Sequence, residues 1–203
     1  MDELLGDVRS VRTHAEAIIE LADRHSLGYW RVNGLVLRGW AMVRQGAVEE
    51  GIARMCQNAT DRTAQGVSWY QARYLCMLAA AYAQARQAER GLRVVVEAKD
   101  LVARNEEHMW EGELARIEGE LLRVQGASPP AIEACFARAI AITHAQGAKS
   151  LELRAALSFA HLWYDQGRCS DARALLTPTF SWFTEGFETA DLRAAGALLD
   201  ELA

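Results

Sequence analysis

The sequence predicts an all-α chain built as a row of antiparallel helix pairs, and three observations lead there. Gly6, Gly46, Arg86, Gly126 and Gly167 follow one another at spacings of 40, 40, 40 and 41, so one turn recurs along the chain. Repetition at such a period marks stacked helical units, each too small to bury its apolar face alone. Only 3 prolines occur in 203 residues, two of them adjacent at Pro129 and Pro130, so almost nothing interrupts helix. Finally, 51% of the residues are apolar, ample for a core. The expected architecture is a right-handed superhelical array with a period of about 40 residues.

In chain order, 1–28 is a partial unit. Residues 1–5 read as the tail of a helix, and Val8, Val11, Ala15, Ile18, Ile19 and Ala22 keep a helical period until Ser26-Leu27-Gly28 breaks it. A row that begins on half a unit is expected to be a piece of a longer polypeptide, or to use a lone helix as its cap. Four full pairs follow, over 29–66, 67–105, 106–147 and 148–180. In the first, Gly39 and Gly51 stand where two helices touch, Gly46 is the turn, and Gln65-Gly66 returns the chain. The second uses 68–85 and 87–104, with Asn105 as the next turn. The third uses 107–125 and 130–146, where Pro129-Pro130 suits a helix start. The fourth uses 149–166 and 170–176, ending at Thr177-Pro178. Residues 188–202 leave the repeat as a capping helix: Thr189 is its N-cap, Asp191 suits its first turn, and Leu192, Ala195, Leu199 and Leu202 form its apolar stripe. Trp182, Phe183 and Phe187 are expected to wedge it onto the fourth pair.

Aligning the pairs exposes a contact code. First helices place Gly39, Ala79, Gly119 and Ala160 at the close approach and Met42, Tyr82, Leu122 and Trp163 three residues later. Second helices answer with Gly51, Gly91, Ile132 and Ala172, then Met55, Val95, Phe136 and Leu176. Glycine inside a helix costs about 1 kcal/mol relative to alanine, so its recurrence at aligned positions implies contacts too tight for a larger side chain.

Several function classes are disfavoured. The formal charge of −5 is spread along the chain without a Lys/Arg block, which argues against nucleic acid or an anionic membrane as partner. The N-terminus lacks a basic start followed by an apolar run, and no stretch reaches the roughly 18 apolar residues of a membrane span. Cys56, Cys76, Cys135 and Cys169 form no CxxC pair, as expected of reduced, mostly packed thiols in a cytoplasmic protein. His14, His25, His108, His144 and His161 show no ligand spacing, so neither metal nor cofactor is expected. Gly147-Ala148-Lys149-Ser150 lacks the spacing of a phosphate loop and follows a helix where a strand is needed. With no Ser/His/Asp arrangement to be picked out, the expectation is a non-catalytic chain.

The small-x-x-large pattern and the recurring turn resemble tetratricopeptide repeats. The period exceeds the usual 34 or so, which implies helices about one turn longer, as in relatives from bacterial transcription activators. Leu35, Leu75, Ala115 and Ala156 stand where those repeats carry tryptophan. Further stretches carry a closer resemblance: Arg38-Gly39-Trp40-Ala41, Glu113-Leu114-Ala115-Arg116, Gly119-Glu120-Leu121-Leu122, the run 150–158, and above all Trp182-Phe183-Thr184-Glu185-Gly186-Phe187-Glu188-Thr189-Ala190-Asp191-Leu192. They are similar to the C-terminal repeat region of large bacterial signalling proteins. Those proteins join a class III adenylate/guanylate cyclase, or a winged-helix DNA-binding domain, to an AAA-like or STAND-type ATPase and then to such a region. The resemblance implies a sensor or interaction arm.

A helical array lines its concave face with first helices. Residues spaced three, four and three apart assign to that face Asn33, Val36, Trp40 and Val43; Arg73, Cys76, Ala80 and Ala83; Glu113, Arg116, Glu120 and Arg123; and Arg154, Leu157, His161 and Tyr164. Arg73, Arg116, Arg123 and Arg154 offer the fork that holds a carboxylate or phosphate, unless Glu113, Arg116 and Glu120 satisfy one another along one helix. Trp30, Trp69 and Trp110 recur at 39 and 41, either as an aromatic ladder at the groove mouth or as packing against the preceding turns. The leading expectation is a groove for a protein or peptide, or for another domain of the same polypeptide. The alternatives are a receptor for an anionic small molecule, or an oligomerisation module that pairs two copies of the chain.

Overall fold

A computed structural model describes residues 6–64 and 71–203. Residues 1–5, the Gln65-Gly66 turn, the expected helix start at Ser68, and Trp69 lie outside them. Among the described residues the chain is all-α, with ten α-helices and no strand: α1 (Val8–Arg24), α2 (Gly28–Arg44), α3 (Val48–Ala64), α4 (Gln71–Gln84), α5 (Ala88–Asn105), α6 (Glu111–Gln125), α7 (Pro129–Ala145), α8 (Lys149–Asp165), α9 (Cys169–Phe180) and α10 (Ala190–Glu201). None of these helices is long and apolar enough to cross a membrane.

The turns carry the repeat. Gly6, Gly46, Arg86, Gly126 and Gly167 all have positive φ, between 56° and 98°. A second left-handed series comprises Ser26, Glu106, Gly147 and Gly186. Five of these turns, at Gly46, Arg86, Gly126, Gly147 and Gly167, close a helix by the same pair of bonds. Ala47 N–H reaches the Met42 carbonyl at 3.0 Å and Gly46 N–H that of Val43 at 3.1 Å. The equivalents are Gln87 to Tyr82 (2.9 Å), Ala127 to Leu122 (2.9 Å), Ala148 to Thr143 (2.9 Å) and Arg168 to Trp163 (2.8 Å). These are Schellman closures, which satisfy the carbonyls a helix end leaves over and require a left-handed residue. The large side chains three residues past each small position therefore belong to the residues whose carbonyls anchor the turn.

Two compact units divide the chain, Met1–Leu101 and Val102–Ala203. Within the first, α2 packs on α1, α3 and α4, and α3 on α4. The α2–α3 contact is as close as the glycines imply: a Cβ on Gly51 would stand 2.6 Å from the Gly39 carbonyl oxygen, and one on Gly39 would stand 3.0 Å from the Gly51 oxygen. Val43 and Met55 close over that crossing, at 1% and 0% exposure. In the second unit, α6 pairs with α7 and α8 with α9, α7 bridges to α8, and α6 also touches α8. Phe136 fills the space in front of Gly119, where an added Cβ would meet its ring at 2.6 Å. The helix α10 lies on α8 and α9, with Leu192, Ala195, Leu198 and Leu202 joining Leu153, Leu157, Ala172 and Leu176 in one cluster.

Some local expectations change. The left-handed residue after α5 is Glu106, one past Asn105, and a 3-10 turn, His108–Trp110, leads into α6. The helix α9 runs through Pro178 to Phe180. That proline faces solvent, and the carbonyl it leaves without a donor belongs to exposed Ala174, where water can serve it. Of the three expected wedges, half-buried Phe183 packs the cluster as expected, joined by Phe180, but Trp182 and Phe187 stay 59% and 46% exposed. All four cysteines are unbridged, with Cys76 and Cys135 buried, Cys56 half-buried and Cys169 exposed. Finally, Gly186 continues the second turn series, so α10 stands at the sequence position of a further first helix.

Candidate functional site

The sequence-derived candidates divide between the two units. In the first, α2 places Trp40 in the core, with the Arg44 guanidinium 6.0 Å from the ring centre, and half-buries Asn33, whose amide donates to the Tyr29 carbonyl at 3.0 Å. Arg73 is half-buried on α4. Trp30 is 53% exposed and stands edge-on to Tyr29 at 5.3 Å, whereas Trp110 is buried at 5%. The two tryptophans thus share a period but not an environment. Also in this unit, the Tyr82 hydroxyl lies 3.4 Å from Cys56 Sγ. Burial, aided by that contact, pushes the phenol up to about 12, so it stays protonated at neutral pH.

In the second unit the charged candidates converge. Four residues of α6, spaced three, four and three apart, face α8: Glu113, Arg116, Glu120 and Arg123. Arg116 grips Glu113 with both arms of its fork, Nε to Oε2 at 2.9 Å and Nη2 to Oε1 at 2.7 Å, and its Nη1 donates to Ser158 Oγ on α8 at 3.3 Å. Arg154 of α8 approaches Glu113 at 3.5 Å and donates twice to Asp191 of α10, at 2.6 and 3.0 Å. At the other end Arg123 bonds Asp165 of α8 at 2.6 Å and nears Glu120 at 3.7 Å. One ladder of charge therefore links α6, α8 and α10.

The ladder grades from buried to open. Glu113 is 7% exposed. Burial alone would raise its pKa, but Arg116 and Arg154 more than offset this and hold the carboxyl below its usual 4.5. Burial would likewise lower Arg116 and Arg154; the carboxylates beside them raise both, so both remain cations. The Arg123 and Asp165 side chains are 38% and 51% exposed, and Glu120 is 26% exposed. Across the ladder, four carboxylates (Glu113, Glu120, Asp165 and Asp191) face three guanidiniums (Arg116, Arg123 and Arg154), so no positive charge is left over for an anion.

Of the remaining candidates on α8, Leu157 is buried in the cluster that α10 completes, His161 is half-buried, and Tyr164 is 37% exposed. Glu201 of α10 hydrogen-bonds the Tyr164 phenol and raises its pKa, chiefly by its charge. Sequence reasoning did not pick out Ser158, Asp165 and Asp191 as partners. A signal existed: each lies 37 to 42 residues beyond the arginine it serves, about one repeat on. A second buried carboxylate, Glu152, is held by Lys149 at 2.8 Å and His144 at 3.1 Å, which gives the lysine of the Gly147-Ala148-Lys149-Ser150 stretch a structural partner. Among the described residues no group of three His, Cys, Asp or Glu side chains could hold a metal ion.

No protein-family model matches the chain, and no curated protein is similar enough to count as a relative.

Proposed function

We propose that the chain is a non-catalytic interaction arm, a right-handed superhelical array of tetratricopeptide-like pairs that receives a protein segment along its first helices. The segment comes from another protein or from elsewhere in the same polypeptide. The parent polypeptide, on this reading, is a bacterial signalling protein whose ATPase is joined to a cyclase or a winged-helix output domain. The supporting observation is the way the first helices meet. Schellman turns repeat at about 40 residues, α2 touches α4 in one unit, and α6, α8 and α10 touch in sequence in the other. Within each unit such a file of helices presents a row of side chains, as peptide-binding repeat arrays do. Its open part in the second unit is Glu120, Arg123, His161 and Asp165.

The anionic-effector alternative fares worse on the same geometry. Arg116 and Arg154 are committed to Glu113 and Asp191, and an incoming anion would have to displace a buried carboxylate. Peptide display on the purified chain tests the proposal. Enriched peptides should lose about tenfold or more in affinity to the paired charge reversals Glu120→Lys and Arg123→Glu, with helicity unchanged. Absence of enrichment, together with thermal stabilisation by an anionic metabolite, would transfer the case to the receptor reading. Sedimentation that shows a concentration-dependent dimer would favour oligomerisation.

A further inference from the structure

The loop between α9 and α10 carries a surface that packing does not explain. Trp182 is 59% and Phe187 46% exposed, yet each is backed by a ring that does the packing. Trp182 stands edge-on to Phe183 at 5.1 Å, Phe187 edge-on to Phe180 at 5.8 Å, and both backing rings rest on the α8–α9–α10 cluster. The loop is held in shape by the left-handed Gly186, with φ 78°, and by the Thr189 N–H bonded to the Gly186 carbonyl at 2.9 Å. The exposed rings are thus fixed in place without being covered. In the chain Glu185 falls between them and Glu188 follows Phe187; both are exposed, and neither makes an ion pair among the described residues. The one cation from 181 to 193 is Arg193, on the exposed side of α10, while the remaining acid, Asp191, is taken by Arg154. Exposed Asp165 and Asp171 in the same unit are paired with arginine, whereas Glu185 and Glu188, like Glu106 and Asp200, face solvent; what sets the first two apart is the pair of exposed rings beside them in the loop.

Aromatic faces attract guanidinium and ammonium groups, and a neighbouring carboxylate supplies the hydrogen-bonding half of the contact. We propose that Trp182, Glu185, Phe187 and Glu188 form a docking site for an Arg- or Lys-bearing segment of a partner protein. This site rests on the interaction-arm reading but uses a different surface from the α6–α8 ladder. A neutral apolar partner would leave both carboxylates desolvated and unpaired; a basic segment satisfies them while it covers the rings.

The test uses the full chain and synthetic peptides of matched length and aromatic content in three sets, Arg/Lys-rich, neutral and Glu-rich, followed by fluorescence anisotropy. The Arg/Lys-rich set should bind, and more weakly as salt rises. Trp182→Ala with Phe187→Ala should lower affinity about tenfold or more, and Glu185→Lys with Glu188→Lys should abolish the preference for basic peptides. Both variants should keep wild-type helicity, because the substituted side chains lie outside the core. Equal binding of the three sets would overturn the proposal. So would undiminished binding by the Trp182/Phe187 variant, self-association that this variant abolishes, or selective capture by anionic or neutral vesicles. If instead only the Glu120/Arg123 reversals reduce binding, the ladder is the docking surface and this site falls while the arm reading stands.

Discussion

Replacing Gly51 by alanine adds one methyl group at the crossing of α2 and α3, and two opposing effects can be weighed there. Alanine improves helix propensity by about 1 kcal/mol relative to glycine. Against this, the new Cβ would stand 2.6 Å from the Gly39 carbonyl oxygen, 2.6 Å from Val43 Cγ2 and 2.9 Å from the Val43 nitrogen. Two of those three atoms are backbone, so relief requires the helices to part by roughly 0.8 Å, and overpacking of this kind costs about 1–3 kcal/mol. Clash should win, with a net destabilisation of about 1–2 kcal/mol. Gly196 supplies the control within the same chain. It too sits inside a helix, but its added Cβ would meet only the Phe180 ring, at 3.6 Å, an ordinary contact. Gly196→Ala should therefore stabilise by up to about 1 kcal/mol. Thermal melts followed by circular dichroism read the pair. A change of 1 kcal/mol moves Tm by about 2–4 °C if all 203 residues melt together, and by about twice that if each unit melts alone. The two substitutions should move Tm in opposite directions. Equal gains in both would refute the close approach of α2 and α3.

Further substitutions probe the turns and the ladder. Arg86→Gly should raise stability by about 0.5–1 kcal/mol, because an L side chain at φ 56° is strained and glycine is not; Gly126→Ala, at φ 78° with nothing near its Cβ, should lower it by about 1 kcal/mol, both checked by urea midpoints. Glu113→Ala should cost about 3–5 kcal/mol, because it strands the largely buried Arg116 guanidinium and takes from Arg154 one of its two carboxylates, whereas Asp165→Ala at the open end should cost less than about 1 kcal/mol. In acid, the unfolded Glu113 carboxyl takes up its proton below about 4.5, before the native one does. The stabilisation is therefore complete above that value and is lost as pH falls through the lower native pKa. Denaturation midpoints measured across that range should fall more steeply for the wild type than for Glu113→Gln.

Much of the fold was legible because the repeat leaves its marks on backbone geometry. A Schellman turn needs a left-handed residue, glycine fills that need at low cost, and so the period survives in the sequence even where Arg86 breaks the composition. The small positions were legible for a similar reason, since Gly39, Gly51 and Gly119 carry a helix-propensity cost that only close contact offsets. Glu106 was less legible than Asn105 because asparagine is the commoner left-handed residue, yet the chain register put the turn one residue later. The exposure of Trp182 and Phe187 could not be read from composition: large aromatic side chains signal burial, and nothing in the string shows that Phe180, with the expected Phe183, already fills the space. The ladder was half legible. The spacing on α6 gave the Glu113–Arg116 pair, but the acids that answer Arg123 and Arg154 sit on neighbouring helices, and only the packing of α8 and α10 brings them within reach.

The proposed role of the first helices is to receive a protein segment. The most direct measurement is chemical-shift mapping of the isotope-labelled chain during titration with a display-selected peptide. Shifts concentrated at Glu120, Arg123, His161 and Asp165, or at Trp182 and Phe187, and moving together to saturation, are the predicted result. Shifts confined to buried positions around a small-molecule-sized pocket, or no shifts at saturating peptide, would contradict it.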